Sequence, residues 1–240
     1  MPSKFIPLKK LILFFLLIGI VACGTEESDL TVVGSVKGLK KGTLFLKKVQ
    51  DTAIVTVDSM EIIGDESFIL TSQLDEPEIF FLVLDKNDSD EGRITFFGNK
   101  GITEINTTLK NFAFDAKISG SPQQSVLQEY NQMAARFNNK NLDIIEENFN
   151  AIIQKDSTKI LETDLRYKSL LKSKYLYTIN FALNNKTSQV SPYLAVKEIN
   201  DAQLKYLDTI YISLPDSIAV SKYGKQLKSL IEERQKIEND

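Results

Sequence analysis

Apolar and polar residues follow two rhythms along this chain. Between Leu30 and Ser119, short runs rich in Val, Ile, Thr and Phe alternate apolar with polar and are broken by turn formers. A period of two puts every second side chain on one face, so these runs predict strands. The predicted strands are 31–37, 43–49, 54–63, 67–72, 79–85, 94–97, 102–108 and 112–119. Gly38-Leu39-Lys40-Lys41-Gly42 reads as a hairpin loop, and the segment from Asp85 to Gly92 as a polar loop. Strands at this spacing predict an antiparallel β-sandwich or barrel.

After Gly120 the spacing lengthens. Ser121 is placed to cap a helix with Pro122 in its first turn. Val126, Leu127, Tyr130, Met133, Ala134 and Phe137 recur at three- and four-residue intervals and predict an amphipathic helix. Leu142, Ile145, Phe149, Ile152 and Ile153 predict a second, and Leu170, Leu171, Tyr175, Ile179 and Leu183 a third over 165–183. Ser191-Pro192 opens a short helix through Ile199, Asp201 is expected to cap another over 202–211, and Pro215 starts the last. The fold class is α+β: a β-rich domain over 30–120, then a helical bundle over 121–240.

The N-terminus stands apart from both rhythms. Lys4, Lys9 and Lys10 precede an apolar run over 11–21, followed by Ala22-Cys23. That order describes a secretory signal. The run is about half the ~20 residues a membrane-spanning helix needs. Ile20-Val21-Ala22-Cys23 resembles a bacterial lipobox, in which the cysteine is acylated, as with palmitate, and becomes the new N-terminus. Residues 1–22 are then removed, 23–29 form an acidic tether, and the mature chain is three charges more negative than the −3 of the whole. Lipid on Cys23 would hold the protein to a membrane without spanning it. The expected location is the cell envelope, at the outer membrane, with periplasmic and surface-facing orientations both open. An ordinary signal peptide cut nearby is the alternative.

Composition removes whole classes of chemistry. The 240 residues include no histidine, which excludes histidine triads, imidazole zinc sites and histidine acid–base catalysis. One cysteine makes neither an intrachain disulfide nor a C-x-x-C pair. No basic field argues for nucleic acid. The glycines between Gly34 and Thr43 lack the G-K-[ST] order of a phosphate loop. Asp85, Asp88, Asp90 and Glu91 offer the oxygens calcium prefers, but without EF-hand spacing they read as a solvated loop. Asp58-Ser59 has no base beside it. A glycosidase needs only two carboxylates across a cleft, yet the 32 acidic residues are too evenly scattered to select a pair. No catalytic residue, metal ligand or cofactor is assigned. Tyrosines at 167, 175, 177, 193, 206, 211 and 223 fall in the helical half, where core packing competes with an aromatic binding face.

Several short stretches occur in a familiar order. They are Val33-Gly34-Ser35-Val36-Lys37-Gly38-Leu39, Gly42-Thr43-Leu44-Phe45-Leu46, Val57-Asp58-Ser59 with Gly64 and Phe68, Glu76-Pro77-Glu78-Ile79-Phe80, and Ile118-Ser119-Gly120-Ser121-Pro122. Together they resemble the domain of unknown function 4369, a β-rich module of Bacteroidetes lipoproteins. Asp65-Glu66-Ser67 departs from its spacing, and Ser221 to Leu227 resembles the segment that ends the family's helical region. In many relatives a thioredoxin-like domain follows. With no C-x-x-C here, that redox activity is not carried over. Thr52, Ser59, Ser157, Thr209 and Ser217, each after an aspartate, resemble the O-glycosylation sequon of Bacteroidetes envelope proteins. The expected function is a non-catalytic envelope lipoprotein, an interaction or accessory module with another envelope protein as partner. The alternatives are an accessory enzyme (a carboxylate-based hydrolase or an auxiliary subunit of a thiol–disulfide system) and a degenerate paralogue of a thioredoxin-like lipoprotein.

Overall fold

The computed structural model describes residues 28–85 and 92–239. The strands are β1 (Leu30–Lys37), β2 (Lys41–Gln50), β3 (Ala53–Ile63), β4 (Ser67–Ser72), β5 (Glu78–Leu84), β6 (Arg93–Gly98), β7 (Gly101–Thr108) and β8 (Lys117–Ser119). They form two four-stranded sheets in the orders β4-β1-β7-β8 and β3-β2-β5-β6. Inward side chains of both sheets share one core, with Val32, Phe68 and Ile105 from the first meeting Leu44, Phe80 and Phe96 from the second. The architecture is a sandwich.

Pairing is antiparallel except between β1 and β7, which run parallel with Leu30 opposite Gly101 and Lys37 opposite Thr108. The sheets are thus antiparallel-rich, as the strand pattern predicts, with this one parallel pair. The hairpin β2–β3 belongs to the other sheet, which leaves one flank of β1 for β7. Gly34 sits on that seam, where a Cβ would stand 1.7 Å from the carbonyl oxygen of Ile105. The last strand is also shorter than its apolar content predicts. Residues 109–115 turn instead, because Thr107 Oγ1 donates to the Phe112 carbonyl (2.7 Å) and Thr108 Oγ1 to Asp115 (2.7 Å). Phe112 still reaches the core, from a turn.

The helices are α1 (Pro122–Gln154), α2 (Ser157–Asn184), α3 (Val190–Glu198), α4 (Leu204–Ser213), α5 (Asp216–Ala219) and α6 (Lys222–Asn239). Ser121 caps α1, accepting from the Gln124 amide at 3.2 Å. The two helices expected over 122–153 are one. Neither proline nor glycine occurs between Pro122 and Gln154, so nothing interrupts the hydrogen-bond ladder. Asp201 does not cap α4; its carboxylate accepts from the Tyr175 hydroxyl at 2.5 Å. The last expected helix divides into α5 and α6, with Ser221 Oγ donating to the Ile218 carbonyl between them.

Strands β5 and β6 are covered on both faces, which explains why Ile79 to Leu84 is unbrokenly apolar, while β3 at the other end of the sheet is largely exposed. Phe80 and Leu82 face the sandwich core, while Ile79 and Phe97 face a cluster of Leu127, Tyr130, Phe181, Val190, Leu194 and Tyr223 from the helices. Two buried hydrogen bonds fix this docking: the Ile79 amide donates to Tyr223 Oη (2.8 Å), and the Phe97 amide to Gln124 Oε1 (2.8 Å).

Candidate interaction surface

The most deeply placed ionic cluster lies where the two halves meet. Glu78, 6% exposed, accepts from Lys48 Nζ at 2.9 Å through one oxygen and from Lys222 Nζ through the other. Lys222 also donates to the Val49 carbonyl (3.1 Å), and its backbone amide to Glu76 (2.9 Å). The cluster ties α6 to the sandwich, with both oxygens of the buried Glu78 carboxylate held by lysines. Around it, burial pushes the Tyr193 hydroxyl up to about 12 and raises those of Tyr130 and Tyr223. The rings of Phe97, Tyr193 and Tyr223 meet edge to face, with centroids 5.2–5.8 Å apart. These tyrosines are core.

A different surface is left uncovered. Lys155 ends α1 in a left-handed conformation (φ 56°), and Asp156 caps α2 at once, accepting from the amides of Thr158 (3.1 Å) and Lys159 (3.0 Å). Two residues thus reverse the chain, and α1 and α2 run back along each other as a hairpin. Between Tyr130 and Thr178 its buried residues are Ile144, Ala151 and Thr163, all at the seam between the two helices. Asn148 Nδ2 donates to Thr163 Oγ1 (2.6 Å) across that seam. The hairpin is an arm standing clear of the body.

The two broad faces of the arm differ. On one, the charged residues Lys140, Asp143 and Arg166 rim a shallow groove that also exposes Ile144 and Leu170, and Arg166 bonds Glu147 at 2.5 Å and holds its carboxyl below the usual range. On the other, Ile145, Phe149, Ile152 and Tyr167 border an apolar groove of about 320 Å³ floored by Ile144 and Thr163. Phe149 is 62% exposed and Ile152 53%. Tyr167 also borders the next hollow, with Phe137, Asn141 and Leu171. Leu171 in turn borders a third of about 340 Å³, with Leu176, Ile179 and Tyr206, where α2 meets α4. A largely apolar track, interrupted in its middle by Asn138, Asn141 and Lys174, therefore runs from the tip of the arm to the body. Within it Asn141 Oδ1 is shielded from solvent without a hydrogen-bond partner among the described residues. The residues expected to bury the second helix, Leu142, Ile145, Phe149, Ile152 and Ile153, are all exposed here.

Sequence-nominated sites are dispersed. Cys23 and the tether before Ser28 lie outside the described residues, as do Asp88, Asp90 and Glu91 of the acidic loop. Among the described residues no group of acidic or cysteine side chains is placed to hold a metal ion, and no helix is long and apolar enough to cross a membrane. Asp58 is engaged by the fold: one oxygen accepts from the Thr71 amide (2.7 Å), tying β3 to β4, and the other from the Ser59 amide (2.8 Å). Thr52, Ser59, Ser157, Thr209 and Ser217 are exposed on separate elements. Of the tyrosines, 167, 175 and 206 border the apolar track.

No curated protein sequence matches the chain. Residues 30–127 match the family described as Domain of unknown function (DUF4369). The match spans both sheets and ends inside α1, taking in the cap Ser121 and also Gln124 and Leu127, which dock the helices on the sandwich. The glycines of its motifs have steric roles, since a Cβ on Gly34 or Gly120 would meet the carbonyl oxygen of Ile105 or Ile102 at 1.7 or 2.1 Å. The N-terminal sandwich of this chain, with the opening turns of α1, is a domain of the DUF4369 family.

Proposed function

We propose that this chain is a non-catalytic lipoprotein of the bacterial cell envelope, tethered through lipid on Cys23 and acting as an interaction module through the α1–α2 arm. The exposed apolar track carries this reading. A largely apolar strip on a projecting element is unusual in a soluble monomer and marks a contact surface. The charge pattern supports a non-catalytic role, because the grooves bordered by Asp164, Asp201 or Asp143 each hold a single carboxylate where a glycosidase needs two. The cationic, apolar and Ala22-Cys23 succession at the N-terminus supports the anchor. Thr52, Ser59, Ser157, Thr209 and Ser217 have the exposure that glycan attachment requires.

Two experiments test the reading. Labelled palmitate should enter the wild type and not Cys23→Ser; equal labelling refutes the anchor. A photocrosslinking residue at Phe149, Ile152 or Tyr167 should give a discrete adduct in cells, while one at exposed Thr52 should not. No adduct from any of the three arm positions would remove the interaction role.

A further inference from the structure

Resting on the reading of the arm as a contact surface, we infer that its occupant is a second copy of this chain, packed face to face and antiparallel about a two-fold axis near Tyr167. Charge along the track points to a copy of itself. The groove at the tip has Asp164 as its one charged lining residue, whereas the hollows toward the body are bordered by three lysines, Lys168, Lys172 and Lys174, against the single carboxylate of Asp201, which accepts from Tyr175. Reversing one arm upon another lays each tip, with its carboxylate, over the partner's lysines. Parallel arms would stack like charge on like. Asp164 already bonds Lys168 of its own helix (2.8 Å), and Lys174 bonds Glu198 (2.9 Å), but no ion pair of Lys172 is formed within the described residues.

The area is also right for a copy. Residues 160–179 of α2 rise about 30 Å, and two helices side by side are about 20 Å broad. Such a face buries about 600 Å² on each copy, or about 1,200 Å² in all, the lower end of stable specific interfaces. A single foreign helix in the groove would cover about half of it. Antiparallel stacking further brings the tip residues Ile152 and Ile153 to the partner's hollow at the α2–α4 junction, whose Leu171, Leu176 and Tyr206 leave room for them. Isologous contacts of this kind are the commonest form of assembly.

The test uses the lipid-free mature chain, Cys23 removed, in sedimentation velocity. The wild type should form a concentration-dependent dimer. Asp164→Lys and Lys172→Glu should each weaken it about tenfold, and the double swap should restore it to within about threefold. Both positions border open grooves, and circular dichroism of each variant reports its fold directly. Tyr167→Cys should oxidise to a disulfide-linked dimer, because only a residue beside the two-fold axis meets itself. A chain that stays monomeric at every concentration, or single and double swaps with the same affinity, overturns the inference. If the arm crosslinks in cells to a different protein and never to itself, the contact surface stands and the self-association falls.

Discussion

Replacing Phe97 by alanine tests whether the two halves form one cooperative structure. Phe97 is fully buried on the outward face of β6, with its ring against Tyr193 and Tyr223 and its amide held by Gln124. A buried Phe→Ala change costs about 3–5 kcal/mol, and the two edge-to-face contacts are about 0.5–1.5 kcal/mol each of that beyond area burial. For a chain of this size 1 kcal/mol moves Tm by about 2–4 °C, so the loss should be roughly 10 °C. The chain has no tryptophan and eight tyrosines, all of them in the helical half, so tyrosine fluorescence reports on that half. Denaturant unfolding followed by tyrosine fluorescence and by far-ultraviolet circular dichroism should give one shared transition, shifted equally by both probes. The control is Phe114→Ala, 86% exposed, which should move stability by less than about 0.5 kcal/mol. The reasoning is refuted if Phe97→Ala leaves the tyrosine transition in place, because Phe97 would then stabilise the sandwich alone.

Three further outcomes follow from the same contacts. Burial raises the Tyr193 pKa from 10.0 to about 12, so folding favours the neutral phenol; its contribution is full below pH 10 and disappears as pH rises toward 12. Tyrosinate absorbance of the buried tyrosines should then appear together with loss of helical signal, and ionisation with the fold intact would contradict this. Gly34→Ala, which drives a Cβ to 1.7 Å from Ile105 O, should cost at least about 4 kcal/mol and leave little soluble protein on expression. Asp156→Ala, which removes the cap of α2 at the arm tip, should cost about 1 kcal/mol and speed amide exchange near Lys159 more than in α6.

Strand positions were legible because turn formers punctuate an alternating pattern, and the cap at Ser121-Pro122 was legible because the chemistry of a helix start is local. The pairing of β1 with β7 was not, since nothing in residues 30–37 records which distant strand lies alongside. Leu142, Ile145, Phe149, Ile152 and Ile153 show why the candidate surface was missed. Their spacing is that of a core stripe, and periodicity reveals an apolar face without revealing whether anything covers it. Their number against the two-residue turn at Lys155-Asp156 was the available signal, because so tight a hairpin leaves each helix a single neighbour. Glu78, opening an otherwise apolar strand, marked the ionic cluster in the same silent way. Its partners Lys48 and Lys222 are far from it in sequence and have no local reason to be singled out.

The position of β1 has a mechanical consequence. It is the first of the described strands, yet it lies inside its sheet, bonded to β4 on one side and β7 on the other. A pull transmitted through the residues before Leu30 along the strand loads both ladders together in shear, so they must fail at once and cannot unzip pair by pair. A first strand placed at a sheet edge would peel. The domain is thus built to bear tension at its leading end, and in force spectroscopy from the N-terminus it should resist in one high, sharp rupture, not a long low plateau.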